Sequence, residues 1–387
     1  MNLKNNGIYL TDDQRLSWLQ LIRSENIGCA SFWALIKNYK TARNALEHLP
    51  AIAARGGKKS IKIAPLDDIK REMEAAQRLN IRFICAGEPD FPPLLYEMDC
   101  APPVISVKGD SSLFSRTAVA IVGSRNASAV GLKLAEKFSN DLSKAGFSTV
   151  SGFARGIDTA VHKASLMGGT IAVMAGGVDH IYPSENKYLF DAILDHNGVI
   201  LSEMPLHFVP RAVDFPRRNR LIAGICLGLL VVEASRRSGS LITARLANSA
   251  GRHIFAIPGS PFDLRAQGTN DLIKTGATLV TETQEIIETL LPLTSTPQNK
   301  QLSLFEATAS YIGPQPIHCN ESINFEELTD ADRARVIESL SITPIDIEAL
   351  CKYSNVSLSQ LYLALVELDV AGKIIRHADG LVSLRPQ

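Results

Sequence analysis

The chain has no net charge, 40 basic residues balancing 40 acidic ones. Whole-molecule electrostatics therefore select no partner, and any polyanion site has to be local. No two of its six cysteines have the spacing of a metal knuckle. That excludes a sequence-encoded zinc ribbon and leaves isolated reduced thiols as the expectation. No apolar run is long enough to cross a membrane, and the N-terminus has no signal-type apolar core, so a cytoplasmic protein is expected. The dinucleotide fingerprint G-x-G-x-x-G is absent after the first candidate strand, and no serine or cysteine sits in a nucleophile elbow. Neither a cofactor nor a metal is expected, and no catalytic residue is assigned.

At 387 residues and 45% hydrophobic content, there is room for two or three domains with a sizeable core. From Thr117 onward, apolar runs alternate with helix-length patterns. The runs are 118–122, 147–150, 170–174, 199–202, 228–232 and 253–257, with Leu279-Val280 as a short seventh. Near-continuous apolar strands separated by helices indicate a parallel sheet covered on both faces, an α/β fold of extended Rossmann-like type. The paired prolines at 92–93 and 102–103 mark fixed turns in a preface packed onto this domain.

Before it, Thr11-Asp12-Asp13 reads as a helix start, and Ile27-Gly28 separates two short helices. The pattern is that of a SAM-like or helix-hairpin-helix module. Its hairpin either holds a phosphate through backbone N–H groups or only packs. The basic turn Arg55-Gly56-Gly57-Lys58-Lys59 is expected to be solvated. After the α/β domain, residues 293–331 are polar and without sustained period, a linker. Helices at 333–340, at 344–351 with Pro344 near the first position, and at 357–370 then precede a hairpin turning at Asp379-Gly380: a winged helix. Its third helix has no Lys or Arg and carries Glu367 and Asp369, which argues against major-groove readout. The resulting division is a helical module over 1–75, the α/β domain over 76–292, the linker, and a winged helix over 332–387.

Several strand ends carry anion-compatible chemistry. Gly123-Ser124-Arg125 follows the first strand of the alternation: glycine permits close approach, and Ser and Arg donate to phosphate. Taken alone, it is equally a tight turn with a solvated arginine. The stretch 211–220, RAVDFPRRNR, reads as a basic loop in which Arg211, Arg217, Arg218 and Arg220 with Asn219 surround Phe215, against one acid, Asp214. Such a loop grips phosphates and offers a stacking face for an unpaired base, or else buries Phe215. Ser238-Gly239-Ser240 opens a helix and suits a phosphate at its N-terminus. Asp158 and His162, one turn apart, read better as structural hydrogen-bonders than as an acid–base pair.

These residues resemble the DprA/Smf family, the bacterial DNA-processing proteins of natural transformation. The match runs through VGSR (122–125), SGFARGID (151–158), AVHKASL (160–166), TIAVMAGGVDHIYPSEN (170–186), VILSEMP (199–205), FPRRNRLIAG (215–224), VVEASRRSGSLITA (231–244) and IPGSPFD…GTNDLIKTGA (257–277). It spans the whole α/β domain in the family's order. The resemblance implies a dimer that binds single-stranded DNA, protects incoming strands, and loads the RecA recombinase onto DNA that also carries single-strand-binding protein. It implies DNA contacts at Gly123, Ser124 and Arg125, stacking by Phe215, and a groove lined by Arg218, Asn219 and Arg220. Arg211 is added from charge, and Ser238, Gly239 and Ser240 from their turn. A dimer surface is expected over 270–277, around Asn270, Leu272 and Ile273. Phe153 stands where the family more often has an aliphatic residue, and only a packing change is expected there.

Two other readings remain open. One is a nucleotide N-glycosidic hydrolase using Glu203 or Glu233. The other is a nucleotide-sensing regulator that reads duplex DNA through the winged helix.

Overall fold

A computed structural model describes residues 9–294, 328–377 and 380–386. In chain order, the first half consists of α1 (Asp12–Arg23), α2 (Cys29–Tyr39), α3 (Ala42–Arg55), α4 (Leu66–Arg78), β1 (Arg82–Cys85), α5 (Pro93–Tyr96), β2 (Val104–Gly109), β3 (Ala118–Val122), α6 (Ala129–Lys144), β4 (Ser148–Ser151), α7 (Ile157–Ala164) and β5 (Thr170–Val173). There follow α8 (Lys187–Asp195), β6 (Val199–Ser202), α9 (Asp214–Ile225), β7 (Gly228–Val231), α10 (Ser240–Ser249), β8 (His253–Ala256), α11 (Gln267–Lys274), β9 (Thr278–Leu279) and α12 (Thr283–Thr294). The C-terminal part contains α13 (Asp330–Ser339), α14 (Ile347–Ser354), α15 (Leu358–Val370), β10 (Ile374–Arg376) and β11 (Val382–Leu384). Contacts group the chain into two units, residues 1–19 with 65–296 and residues 20–64 with 297–387.

The first unit is the expected α/β fold. Its sheet has nine strands in the order β1-β2-β6-β5-β4-β3-β7-β8-β9. From β6 to β9 the neighbours are parallel, and β2 joins β6 antiparallel with Ser106 opposite Ser202. The preface thus extends the sheet by two strands. All five residues of β3 are buried, as the unbroken apolar run requires of a central parallel strand. On one face α6, α7 and α12 pack Phe138, Leu142, Val161, Ile286 and Leu290 against Ile121, Leu230 and Phe255. Each such fully buried side chain contributes roughly 1.5–3 kcal/mol. On the other face α9 packs on β3, β4 and β5, and α10 on β7 and β8. The chain runs outward from β3 to β6 and returns beside β3 as β7, so the strand order reverses between β3 and β7. A crevice opens at that point, outside the carboxyl ends of the strands.

In the second unit, capping fixes the winged-helix elements. Thr329 with Asp332, and Ser357 with Gln360, form reciprocal capping boxes on α13 and α15. The second helix begins later than Pro344 suggested. The Asp346 side chain accepts from Ala349 N at 2.7 Å and takes the cap, while Ile345 bridges Val382 and so adds to the hairpin sheet. Asp379 of the expected turn and most of the expected linker lie outside the described residues.

No helix among the described residues is long and apolar enough to cross a membrane. Cys85, Cys226 and Cys351 are free thiols, as the sequence leads one to expect of them.

Candidate nucleic-acid interface

At the end of β3, Gly123 lies where a Cβ would come within 2.7 Å of Ile157 Cγ1 and 3.1 Å of the Glu233 carbonyl. Only glycine lets the first turn and α7 pack this closely. Ser124 Oγ accepts from Asn126 N at 3.1 Å, and Ser124 O accepts from Ile157 N at 3.2 Å. The chain thereby projects Arg125 outward, its guanidinium carbon 5.0 Å from the centre of the Phe215 ring. Phe215 itself comes from the first turn of α9, and Tyr182 lies 5.6 Å from it, centroid to centroid.

The expected basic loop at 211–220 is largely a helix, and that decides where its side chains go. Positions 215, 218, 219 and 222 share one face of α9 by the i, i+3, i+4, i+7 rule, and all four line a cleft of about 670 Å³. The same cleft is lined by Gly123, Ser124, Arg125, Ser238, Gly239 and Ser240. A smaller pocket of about 270 Å³ shares Arg125, Tyr182, Phe215 and Arg218 and reaches Gly152 and Gly176. Nine of the eleven expected contact residues thus meet in one place.

Arg211 and Arg220 do not line either cavity. Arg211 chelates Asp214 through Nε at 3.1 Å and its backbone N at 2.9 Å. Burial works against the Asp214 carboxylate, but these bonds from Arg211 outweigh it and hold its pKa below the usual value. Arg220 points off the opposite side of α9, ion-paired with Glu203 and donating to Cys100 O at 2.7 Å. Arg217 joins it on Glu203 at 3.1 Å.

Arg218 is 5% exposed. It donates from one terminal nitrogen to the carbonyls of Gly152 and Val173, at the ends of β4 and β5, and from Nε to Asn219 Oδ1 at 3.2 Å. Burial lowers its pKa to about 10 against the upward pull of Asp158, so it stays charged at neutral pH. Asp158 is raised by burial, opposed by Arg218 and by the N–H of Ala154. Asn219 Nδ2 reaches Gly239 O at 3.3 Å and ties α9 to the Ser238–Ser240 turn, where the two serine hydroxyls are 2.7 Å apart.

Tyr182, Asn126 and Arg155 also line the cleft walls, though sequence reasoning assigned them no role. Tyr182 had one available signal, its place before Pro183 in the polar loop that follows β5. Phe153 is fully buried at φ +59 and packs against His162 and Phe190, a packing role as expected. Asn270 braces the Gly259 turn through both side-chain atoms, at 3.2 and 2.9 Å, while Leu272 and Ile273 are half-buried on α11. No cluster of three His, Cys, Asp or Glu among the described residues is placed to hold a metal.

His162 is fully buried, with Nδ1 2.8 Å from Thr170 Oγ1. Burial, reinforced by the charge of Arg218, pushes its pKa down to about 3. An unfolded histidine takes up its proton near pH 6.5, so between the two values the unfolded state binds the extra proton. Stability conferred by neutral His162 is complete above about pH 6.5 and falls by about 1.4 kcal/mol per unit as pH drops toward 3. Urea unfolding of wild type and His162→Gln at pH 7 and pH 5 should show the wild type losing about 2 kcal/mol more. Equal losses would contradict the assignment.

Three family models match the chain. One described as DNA recombination-mediator protein A covers residues 82–291, a DprA-like N-terminal HHH domain covers 12–75, and a DprA winged helix domain covers 326–380. Protein Smf of Escherichia coli K12 is 35% identical over 83% of this chain and 82% of its own. The DNA processing protein DprA of Streptococcus pneumoniae R6 is 45% identical over 50% of this chain and 68% of its own. Among solved structures, DprA of S. pneumoniae superposes with TM-score 0.55 at 34% identity, covering 72% of this chain and 93% of that one. A Helicobacter pylori DNA processing protein A, described for its single-stranded DNA binding mode, gives TM-score 0.50 at 29% identity, covering 55% and 96%.

Proposed function

Because the chain belongs to the DNA recombination-mediator protein A (DprA/Smf) family, we propose that its cleft binds single-stranded DNA and that the protein is a recombination mediator rather than an enzyme. The observation that carries this reading is the convergence of Arg125, Phe215, Arg218 and the Ser238–Ser240 turn on one cleft at the reversal of strand order. Phosphate donors beside a partly exposed ring are the two elements that sequence-tolerant single-strand binding needs. The roles that go with it are protection of incoming strands and loading of RecA, as a homodimer in the cytoplasm, on DNA coated by single-strand-binding protein. Leu272 and Ile273 are the residues proposed for the dimer surface. Mixing the protein with RecA and coated single strands tests this: filament formation should accelerate, and an unchanged rate would overturn the mediator role.

The hydrolase reading loses its two acids to structural duties. Glu203 is ion-paired with Arg217 and Arg220. Glu233 accepts from Ser128 N at 2.9 Å and from the Ser128 hydroxyl, and so holds in place the residue that caps α6. Glu233→Gln should therefore cost about 1 kcal/mol of stability in denaturant unfolding and change no base-release activity. Release of free base from a nucleoside monophosphate by the wild type, lost in this variant, would revive the enzyme.

A further inference from the structure

In a duplex-reading winged helix, the outward face of the third helix enters the major groove. Here Leu361, Ala364, Leu365 and Leu368 of α15 point into the winged helix's own core. At 3.6 residues per turn, Val366 and Val370 lie roughly 140° and 180° around the helix from Leu361, on the outward side. They are nevertheless buried, at 3% and 0% exposure. The elements packed there are α2 and α3 of the N-terminal helical pair.

The contact has specific, close-fitting geometry. Asn26 Nδ2, at the hairpin between α1 and α2, donates to Val370 O at 3.2 Å. The buried Ser31 hydroxyl of α2 donates to Asp369 Oδ2, which also accepts from Arg376 Nε at 3.1 Å. Glu367, 2% exposed, is held by Arg333 at 2.7 and 3.1 Å. At the end of α3, a Cβ on Gly56 would collide with the Glu367 carbonyl and lie 2.7 Å from Ala371 Cβ. The basic turn expected to be solvated is thus partly a contact surface. The two acids that argued against groove readout are internal ion-pair partners.

We infer that the outward face of the winged helix is the receptor for this chain's own N-terminal helical pair, so that the two terminal modules work as one protein unit and duplex DNA is not its ligand. Both surfaces suit this. The face of α15 is aliphatic where a groove reader carries basic or amide groups, and on the N-terminal side the Asn26 amide and the Ser31 hydroxyl, which flank the Ile27-Gly28 hairpin, both donate to α15.

Hydrogen exchange on the full chain tests the inference. Gly56→Val should speed exchange of the amides at 366–371 and in α2 about tenfold, and Asn26→Ala should do so more mildly. Exchange in α13, and affinity for a short single-stranded oligonucleotide, should match the wild type in both. Adding a duplex of about two helical turns to the wild type should protect nothing in 358–371. Unchanged exchange at 366–371 in both variants, or duplex protection of those amides, would overturn the inference.

Discussion

Single-stranded oligonucleotides should bind the Phe215→Ala variant roughly 5- to 150-fold more weakly than the wild type, the worth of one base–aromatic stack at 1–3 kcal/mol. The ring is half-buried on the first turn of α9, held at the mouth of the cleft between Arg125 and Tyr182. Removing it takes away a stacking face while leaving the cleft floor formed by Arg218 and Asn219. Arg125→Ala should weaken binding too and flatten the salt dependence, by about 0.7 in the log–log slope for one lost phosphate contact on a single strand. Because the guanidinium rests on the Phe215 ring, the two losses should not add. The double variant is expected to lose less than the sum of the singles, as coupled neighbours do. Fluorescence anisotropy at several salt concentrations measures all three. Full additivity would mean that the Arg125–Phe215 contact has no part in binding.

Arg218→Met is expected to cost about 3–5 kcal/mol of stability, the usual result of removing one partner from a buried charge network. The side chain joins the ends of β4 and β5 through the Gly152 and Val173 carbonyls, and its charge opposes the rise that burial imposes on the pKa of Asp158. Without it, two carbonyls and a buried carboxyl lose their donor and counter-charge. Lysine should rescue only part, since a point charge cannot replace the planar fork that also reaches Asn219. A denaturant midpoint for Arg218→Met that corresponds to a loss below about 1 kcal/mol would show that the network does not hold the cleft floor.

The α/β sheet was legible because its central strands are buried on both faces and read as near-continuous apolar runs, two of which, β3 and β4, run straight into glycine. The runs at 118–122 and 199–202 match β3 and β6 residue for residue, and the others lie within a residue or so. Arg125, Phe215 and the Ser238–Ser240 turn were legible because strand ends and helix starts deliver side chains to a known edge of such sheets. Arg211 and Arg220 fall outside the cleft for two reasons: Arg211 precedes α9 and chelates Asp214, and Arg220 lies on the far side of that helix, whereas a loop reading of 211–220 makes every basic residue equivalent. As a helix it splits by its own period, sending Phe215, Arg218 and Asn219 into the cleft and Arg217 and Arg220 to Glu203. Pro216, at the third position of α9, is tolerated in a first turn and gave no true break. The packing of α2 and α3 on α15 joins segments more than 300 residues apart through Asn26 and Val370. No local pattern encodes such a pairing.

The proposed DNA site is the cleft between β3, β7 and α9. Photocrosslinking a single strand that carries 5-iodouracil, followed by mass spectrometry of the adducts, tests that placement most directly. Adducts on Phe215 or Tyr182, competed away by unlabelled single strands, are predicted. Adducts confined to residues 328–386, or to the α1–α2 hairpin around Ile27-Gly28, with none on the cleft, would contradict it.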